Sequence, residues 1–335
     1  MADALYPFNL IQIGRETTKG TLVAATRKLV GDGTFTEEQD FYRPPYATGR
    51  RGNVGGAGVI TRKGMMLDVA TDLTAEEILW LLETGIKGQV AGVDSAGDVT
   101  WTFEPELTTG VPTIDTATVE LVRSDGVTNH YYGEFGYAMC SKFKIEWAFN
   151  EPVKLSYTMF GRARQPGAPT AALAAYTTRE VLVAPLLSMY LDTSWAGLGT
   201  TQLTGIARSG SIEITTGFEP DYKTDGRADK DFSKHKVGNP MAVVSLVLEE
   251  DAVGAARWAD YRANSLVFMR FKFLGNTIVA APKTVQVDLA LRCTSPPSEG
   301  PDGQQQLITT GLESVVDDTS GKTMLFTIIN ALTAI

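Results

Sequence analysis

Between Gly136 and Arg162 the chain alternates apolar and polar side chains twice over. Phe143, Ile145 and Trp147 alternate with Lys142, Lys144 and Glu146; Val153, Leu155, Tyr157 and Met159 then alternate with Lys154, Ser156 and Thr158. Successive strand residues point to opposite faces, so each limb has one dry face and one polar face. Asn150-Glu151-Pro152 supplies the turn, because proline fixes φ and donates nothing to a ladder. The pattern predicts a long antiparallel hairpin whose dry face another layer must cover. Its polar face carries charges but no catalytic grouping, and reads as a surface rather than a pocket.

Upstream, residues 9–30 read as two short strands or arms around Gly14 and Gly20. From Gly31 to Gly64 the composition turns to Gly, Arg, Pro, Thr and acids, and 43–64 predicts a projecting loop or arm too polar to hold a core. Met65–Val69 is a short strand, and the helix signal follows it. Thr74 with Glu77 forms a capping-box pair, Ile78, Leu79, Leu81 and Leu82 make the apolar stripe, and Gly85 stands where a C′ glycine belongs. Glu76, Glu77 and Glu83 are then expected in water, with the stripe on the dry face of the hairpin. Val99–Phe103 and Thr118–Val122 are further strands. Residues 162–180, small and proline-punctuated, read as a flexible linker.

The second half repeats the plan. Strands are expected at Leu186–Leu191, Gly210–Thr216, Val243–Leu248, Leu266–Leu274, Thr284–Cys293 and Thr323–Ala331, with a charged loop over Lys223–Lys236. A helix is expected from about Asp251 to Ala263, with Val253, Trp258 and Tyr261 inward. Gly49-Arg50 and Gly226-Arg227 lie 177 residues apart (226 − 49), as do the helix starts Thr74 and Asp251 (251 − 74). Sequence identity between the halves is slight, so the repetition is one of topology. The reading is mainly β with one helix per half: two tandem β-sandwich or barrel domains, each flanked by an α-helix. The first covers 1–165, the linker 166–180 and the second 181–335.

Composition narrows the function. With 335 residues and 43% hydrophobic content the chain folds, and its formal net charge of −9 disfavours tight wrapping around a nucleic-acid backbone. No leader is expected at the N-terminus, and no apolar run reaches a membrane-spanning length. Cys140 and Cys293 read as two free buried thiols, a disulfide between them being beyond deduction from sequence. His130 and His235 have no companion at metal-ligand spacing. RGNVGGAG lacks the order of a dinucleotide loop, and Ser320-Gly321-Lys322-Thr323 reads as a turn before a strand. Glu249-Glu250-Asp251 and Asp317-Asp318 read as solvated acids at a helix start and a turn. No convergent set of base, nucleophile or metal ligands emerges, so no catalytic residue, cofactor or metal is expected.

Particular residues carry a resemblance. Ile11-Gln12-Ile13-Gly14-Arg15-Glu16, Lys19-Gly20-Thr21 and Ala24-Ala25-Thr26, with the Leu73-Thr74 helix start, Trp101-Thr102-Phe103, Tyr132-Gly133, Cys140, Trp147 and Gly161-Arg162, resemble the tail tube proteins of long-tailed phages. The resemblance implies tail-tube-like β domains and a structural virion protein, made in the host cytoplasm and residing in the tail. It implies assembly with itself into stacked rings around a channel that conducts DNA, and contacts with tape-measure and tail-end proteins. A duplicated chain would make a pseudo-hexameric ring from three copies, holding DNA without specific binding. The expected contact residues are Arg43, Arg50, Arg51, Asn53 and Lys63 in the first long loop and Lys223, Asp225, Arg227, Asp229 and Lys234 in the second. Rival readings are another self-assembling component, such as a capsid decoration or secretion-system tube, and a carbohydrate-binding β-sandwich. The latter needs exposed aromatics on one face, whereas the tryptophans fall mostly at inward positions.

Overall fold

The computed structural model describes residues 9–43, 58–124, 127, 129–171, 173–302 and 305–335, the side chains of Asn129, His130 and Tyr131 excepted. The first half contains β1 (Leu10–Arg15), β2 (Arg27–Leu29), β3 (Asp32–Tyr42), β4 (Val59–Asp72), α1 (Ile78–Gly85), β5 (Val93–Ser95), β6 (Asp98–Phe103), β7 (Ala117–Ser124), β8 (Asn129–Ala148) and β9 (Lys154–Gly161). The second contains β10 (Leu187–Asp192), β11 (Gln202–Leu203), β12 (Ala207–Thr215), β13 (Phe218–Asp221), β14 (Lys234–Val237), β15 (Met241–Glu249), α2 (Ala252–Ala263), β16 (Val267–Thr277), β17 (Pro282–Cys293), β18 (Ser298–Asp302), β19 (Gln305–Ser314) and β20 (Met324–Asn330). The protein is mainly β, with one helix in each half.

The hairpin forms as its alternation predicts. β8 pairs β9 from Met139↔Phe160 to Glu146↔Lys154, and Asn150 takes the left-handed conformation (φ 63°) in the turn. Its dry residues are all buried; α1 packs against β8 as expected, and the other half adds a second layer of cover. Phe143 meets Phe326 of β20 at 5.9 Å between ring centroids, and Trp147 meets Phe271 and Phe273 of β16 at 5.5 and 5.7 Å. One hydrophobic cluster therefore runs through both halves, from Ile11 to Ile328. The backbone joins them too: β8 pairs β12 over Ser209↔Ala148 to Thr215↔Lys142, and β20 pairs β6 over Phe326↔Phe103 to Asn330↔Val99.

The pairing scheme of the first half recurs in the second. The ladders β1–β2, β1–β7, β3–β4, β4–β9 and β7–β8 have counterparts in β10–β11, β10–β16, β12–β15, β15–β19 and β16–β17. β8–β9 corresponds to β19 with β17, continued by β18. β1 and β10 start 177 residues apart (187 − 10), the offset found between the helix starts in the sequence.

Helix α1 departs from its amphipathic reading, for every residue in it is buried. Glu76, Glu77 and Glu83 are buried as well, each facing a distant cation: Lys283 Nζ at 2.7 Å from Glu76, Arg179 Nε at 3.2 Å from Glu77, and Arg15 on Glu83. A buried carboxylate is tolerated only when paired and hydrogen-bonded, and the sequence spacing of these partners hides that. Thr74 does accept the Glu77 N–H at 3.2 Å, although the first helical residue is Ile78. Gly85 closes the helix without a positive φ; a Cβ there would lie 2.9 Å from Thr216 and 3.1 Å from Cys140, so glycine permits close packing on β8. In α2 the Asp251 cap is as expected, accepting the amides of Val253 and Gly254, and Asn264 ends the helix at φ 49°. Its buried residues are Gly254 and Arg257, while Val253, Trp258 and Tyr261 are only half-buried, because α2 lies loosely over β17 and β19.

Residues 162–180 are fastened along their length. Gln165 exchanges backbone hydrogen bonds with Glu134, Thr170 binds Glu120, Ala174 O accepts from Lys28, and the Tyr176 hydroxyl accepts the Trp80 indole N–H at 2.8 Å. Both cysteines are free thiols, Cys140 buried and Cys293 only half-buried.

Burial pushes the Glu83 carboxyl up to about 7, against the opposing pull of Arg15. A carboxyl whose folded pKa exceeds its unfolded value holds extra protons in the native state, so stability falls as pH rises from about 4.5 to about 7. Relative to Glu83→Gln, which has no such titration, the wild type should lose on the order of 3 kcal/mol across that window. Urea denaturation of both proteins at a series of pH values measures the difference. Parallel pH profiles would overturn the assignment.

Candidate assembly surfaces

One run of ladders forms a continuous sheet in the order β3–β4–β9–β8–β12–β15–β19–β18. Among the described residues its end strands, β3 and β18, each pair with one neighbour only. The face of this sheet turned away from the core is polar, as alternation requires. Asp32, Thr34, Asp68, Lys142, Lys144, Ser156, Thr158 and Glu213 line an open hollow of about 480 Å³ on it. Charges of both signs are interleaved there: Lys144 pairs with Glu146 at 2.6 Å and Lys154 with Asp72 at 2.8 Å.

The two polar stretches singled out from the sequence meet. The first is not a loop throughout. Residues 32–42 and 59–64 belong to β3 and β4, whose ladder runs past the last β9 partner, Gly161, out to Tyr42↔Val59. Glycine, threonine and acids hid this hairpin because neither of its outer faces is buried, and period-2 patterning shows only where one face is dry. Phe41, Tyr42 and Val59, near its end, are exposed. The second stretch follows β13 and ends in β14, its antiparallel partner, so Lys234 lies on a strand rather than in a loop. The Lys63 N–H donates to Lys230 O at 3.0 Å, and the Arg62 guanidinium lies 5.1 Å from the Tyr222 ring centroid while binding Asp40 at 2.6 Å. The 222–233 segment thus braces the projecting hairpin.

Of the expected contact residues, Arg50, Arg51 and Asn53 lie outside the described residues. Arg43 is exposed beyond β3, and Lys63 sits on β4 beside the brace. Lys223 pairs with Asp221 at 3.1 Å. Arg227 pairs with the buried Asp231, whose hydrogen bond raises the guanidinium pKa further, and Asp225 and Asp229 flank that pair. Sequence reasoning missed the residues that hold the brace. Phe232 is fully buried against Tyr137, Phe160 and Tyr222 at 5.2, 5.7 and 5.9 Å, and Arg162 donates to Phe232 O and Ser233 O. The signal was there: Phe232 is the one aromatic in KTDGRADKDFSKHK. His235 Nδ1 lies 3.1 Å from the Tyr137 hydroxyl, and its pKa falls to about 4 through burial and the nearby Lys19 cation.

The motif Gly14-Arg15-Glu16 followed by Gly20 is a structural latch. Glu16, buried, accepts from the amides of Gly20 and Tyr137 and the hydroxyls of Thr116 and Thr118. Burial raises its pKa while these donors pull it down. Tyr137 is held at φ 57°, an uncommon conformation for a residue with a side chain, where β8 passes from one sheet to the other. Gly20, at φ 76°, leaves room for Arg162, whose guanidinium would meet any Cβ there. These residues fix backbone; none is arranged to act on a substrate.

Replacing Phe232 by Ala should cost about 3–5 kcal/mol locally, by the large-to-small rule for buried aromatics. Hydrogen exchange of the intact chain should then show protection lost in 58–64 and 218–237 while β8, β12 and β17 keep theirs. Unchanged protection in 58–64 would show that the brace does not hold the hairpin.

Comparison with known families places this arrangement. A family model described as phage tail tube protein matches residues 9–309. A search of the curated proteins finds no match.

Proposed function

Because the chain belongs to the phage tail tube protein family, we propose that three copies close into a ring and that rings stack into a hollow tail tube through which DNA passes. The observation that carries this reading is the junction inside the continuous sheet. Within one chain β8 of the first half receives β12 of the second. In the recurring scheme β12 is the counterpart of β3, and β17 continued by β18 is the counterpart of β8. The same junction between copies sets β18 of one chain against β3 of the next. Among the described residues both are end strands with one ladder neighbour, and strands at a sheet edge favour pairing with another chain. Three chains repeating the junction give six lobes, residues 1–165 and 181–335 supplying one each and 166–180 the connection.

On this reading the polar sheet face lines the channel. Closed rotational symmetry repeats each of its side chains in every copy. The acidic residues Asp68, Asp72, Glu146 and Glu213 outnumber Lys142, Lys144 and Lys154 there, within a chain of net charge −9. With a Debye length of ~8 Å at physiological salt, such a wall repels DNA only at close range, which prevents adhesion without blocking passage. The protein acts by assembly rather than catalysis, in the virion tail after synthesis in the host cytoplasm, with tape-measure and tail-end proteins as its further partners.

Electron cryo-microscopy of the assembled protein tests both parts. The expected result is three chains per ring and a channel with net negative lining and no base-specific contacts. Six complete chains per ring would overturn the duplication argument, and a channel lined mainly by Lys and Arg would overturn the conduit.

A further inference from the structure

Two carboxylates and one amine meet where the halves touch. Glu76, just before α1, is fully buried, and Lys283, near the start of β17, has a side chain only 9% exposed. Lys283 Nζ donates to Glu76 Oε1 at 2.7 Å and also to Thr178 O. Glu76 Oε2 is buried and has no hydrogen-bond partner among the described residues. Glu180 Oε2 lies 3.8 Å from the same Nζ, and the other Glu180 oxygen accepts the Asn276 N–H at 2.7 Å. Gly275 leaves room for that carboxylate, since a Cβ there would lie 3.0 Å from Glu180 Cδ.

An ion pair in such a place is poorly solvated. Taking both ions out of water is costly unless their lone pairs and protons are all satisfied, and Glu76 Oε2 leaves that condition unmet. Proton transfer along the hydrogen bond removes both charges at once and leaves an amine facing a carboxylic acid. Those are the reactants of amide formation, and burial shields them from the water that would reverse it. Holding them together replaces a bimolecular encounter by a step within one molecule. Three segments keep them in place. The Leu182 N–H donates to Leu73 O at 3.0 Å, Asn330 Nδ2 donates to Ala75 O at 2.8 Å, and β17 is paired on its two sides by β16 and β20.

We propose that Lys283 and Glu76 join in an isopeptide bond that ties the two halves covalently, with Glu180 carrying a proton between them. One Nζ proton passes to Glu76 Oε1. Nζ then attacks Cδ with its lone pair and gives a second proton to Glu180 Oε2. Glu180 returns that proton to the Oε1 hydroxyl as the Cδ–Oε1 bond breaks, the electron pair leaving with the oxygen. One water is released, the pair loses both charges, and the third proton stays as an amide N–H that keeps Thr178 O as its acceptor. No oxidant or cofactor enters the balance. The bond closes a loop between positions 207 apart in sequence, and a cross-link over so long a loop restricts the unfolded chain as a disulfide does.

Mass spectrometry of the full chain under denaturing conditions tests this. The wild type should be lighter than its sequence by the mass of one water molecule. Trypsin should no longer cut after Lys283, and the digest should contain one branched peptide joining Glu76 to Lys283. Lys283→Arg, which keeps the charge and cannot form the amide, should show its full mass. Glu180→Gln should slow the bond about a hundredfold, the lower end of what a positioned proton carrier contributes. The readout is the fraction of water-loss mass against time after a pulse of cell-free synthesis. A wild type of full mass with Lys283 open to trypsin would overturn the bond, and a branched peptide through Glu180 would overturn the choice of Glu76. An unchanged rate in Glu180→Gln would overturn its part as proton carrier.

Discussion

The dry face of the β8–β9 hairpin is covered by both halves of the chain, α1 from the first and β16 and β20 from the second. Phe143 and Trp147 reach across to Phe326, Phe271 and Phe273, all in the last quarter of the sequence. Apolar surface removed from water is the main favourable contribution to folding, so this cross-half layer decides whether either half is stable. The β8–β12 and β20–β6 ladders then fix how the halves face each other, and with them the distance between the sheet's end strands β3 and β18.

Around that core, carboxylates fasten the loops. Glu16 holds Gly20 and Tyr137; Asp98 accepts the amides of Val279, Ala280 and Ala281, tying a first-half turn to a second-half turn; Asp192 holds Gly199 and Thr201; Asp317 holds Thr319 and Ser320. Hydrogen-bond donors pull three of these pKa values below the usual range: the Ala280 amide foremost for Asp98, the Thr200 side chain against the effect of burial for Asp192, and the Ser320 side chain foremost for Asp317. Much of the acidity that composition presents as surface charge is therefore internal fastening. Asp317, which reads from sequence as a solvated acid, is one of these fasteners.

Legibility followed burial. Where one face of a strand is dry, as in β8, β9, β15 and β17, alternation located it within a few residues. β3, the outer part of β4 and β18 were missed because their sequences are rich in Gly, Pro, Gln and acids and they lie largely outside the core; β19 was missed although Ile308, Thr310 and Leu312 are buried. The loop between β13 and β14 was placed correctly as charged, but Phe232, the residue that gives it a fixed position, gave no periodic signal. The three glutamates of α1 misled for a different reason. Their partners Lys283, Arg179 and Arg15 lie at separations no local pattern reports. The repeat was legible through its 177-residue offset, which the starts of β1 and β10 share.

A helix with no exposed residue also constrains the order in which the chain acquires its structure. α1 forms around residue 80, yet Glu76 is neutralised by Lys283, some two hundred positions later. Until that lysine has left the ribosome, burying the helix would strand a carboxylate in an apolar layer, at a cost of several kcal/mol. Burial of α1 with Glu76 charged therefore depends on β17, which carries Lys283 and pairs with β20. The first half's helix is thus completed by a residue of the second, which couples the two halves in folding by charge as well as by apolar packing.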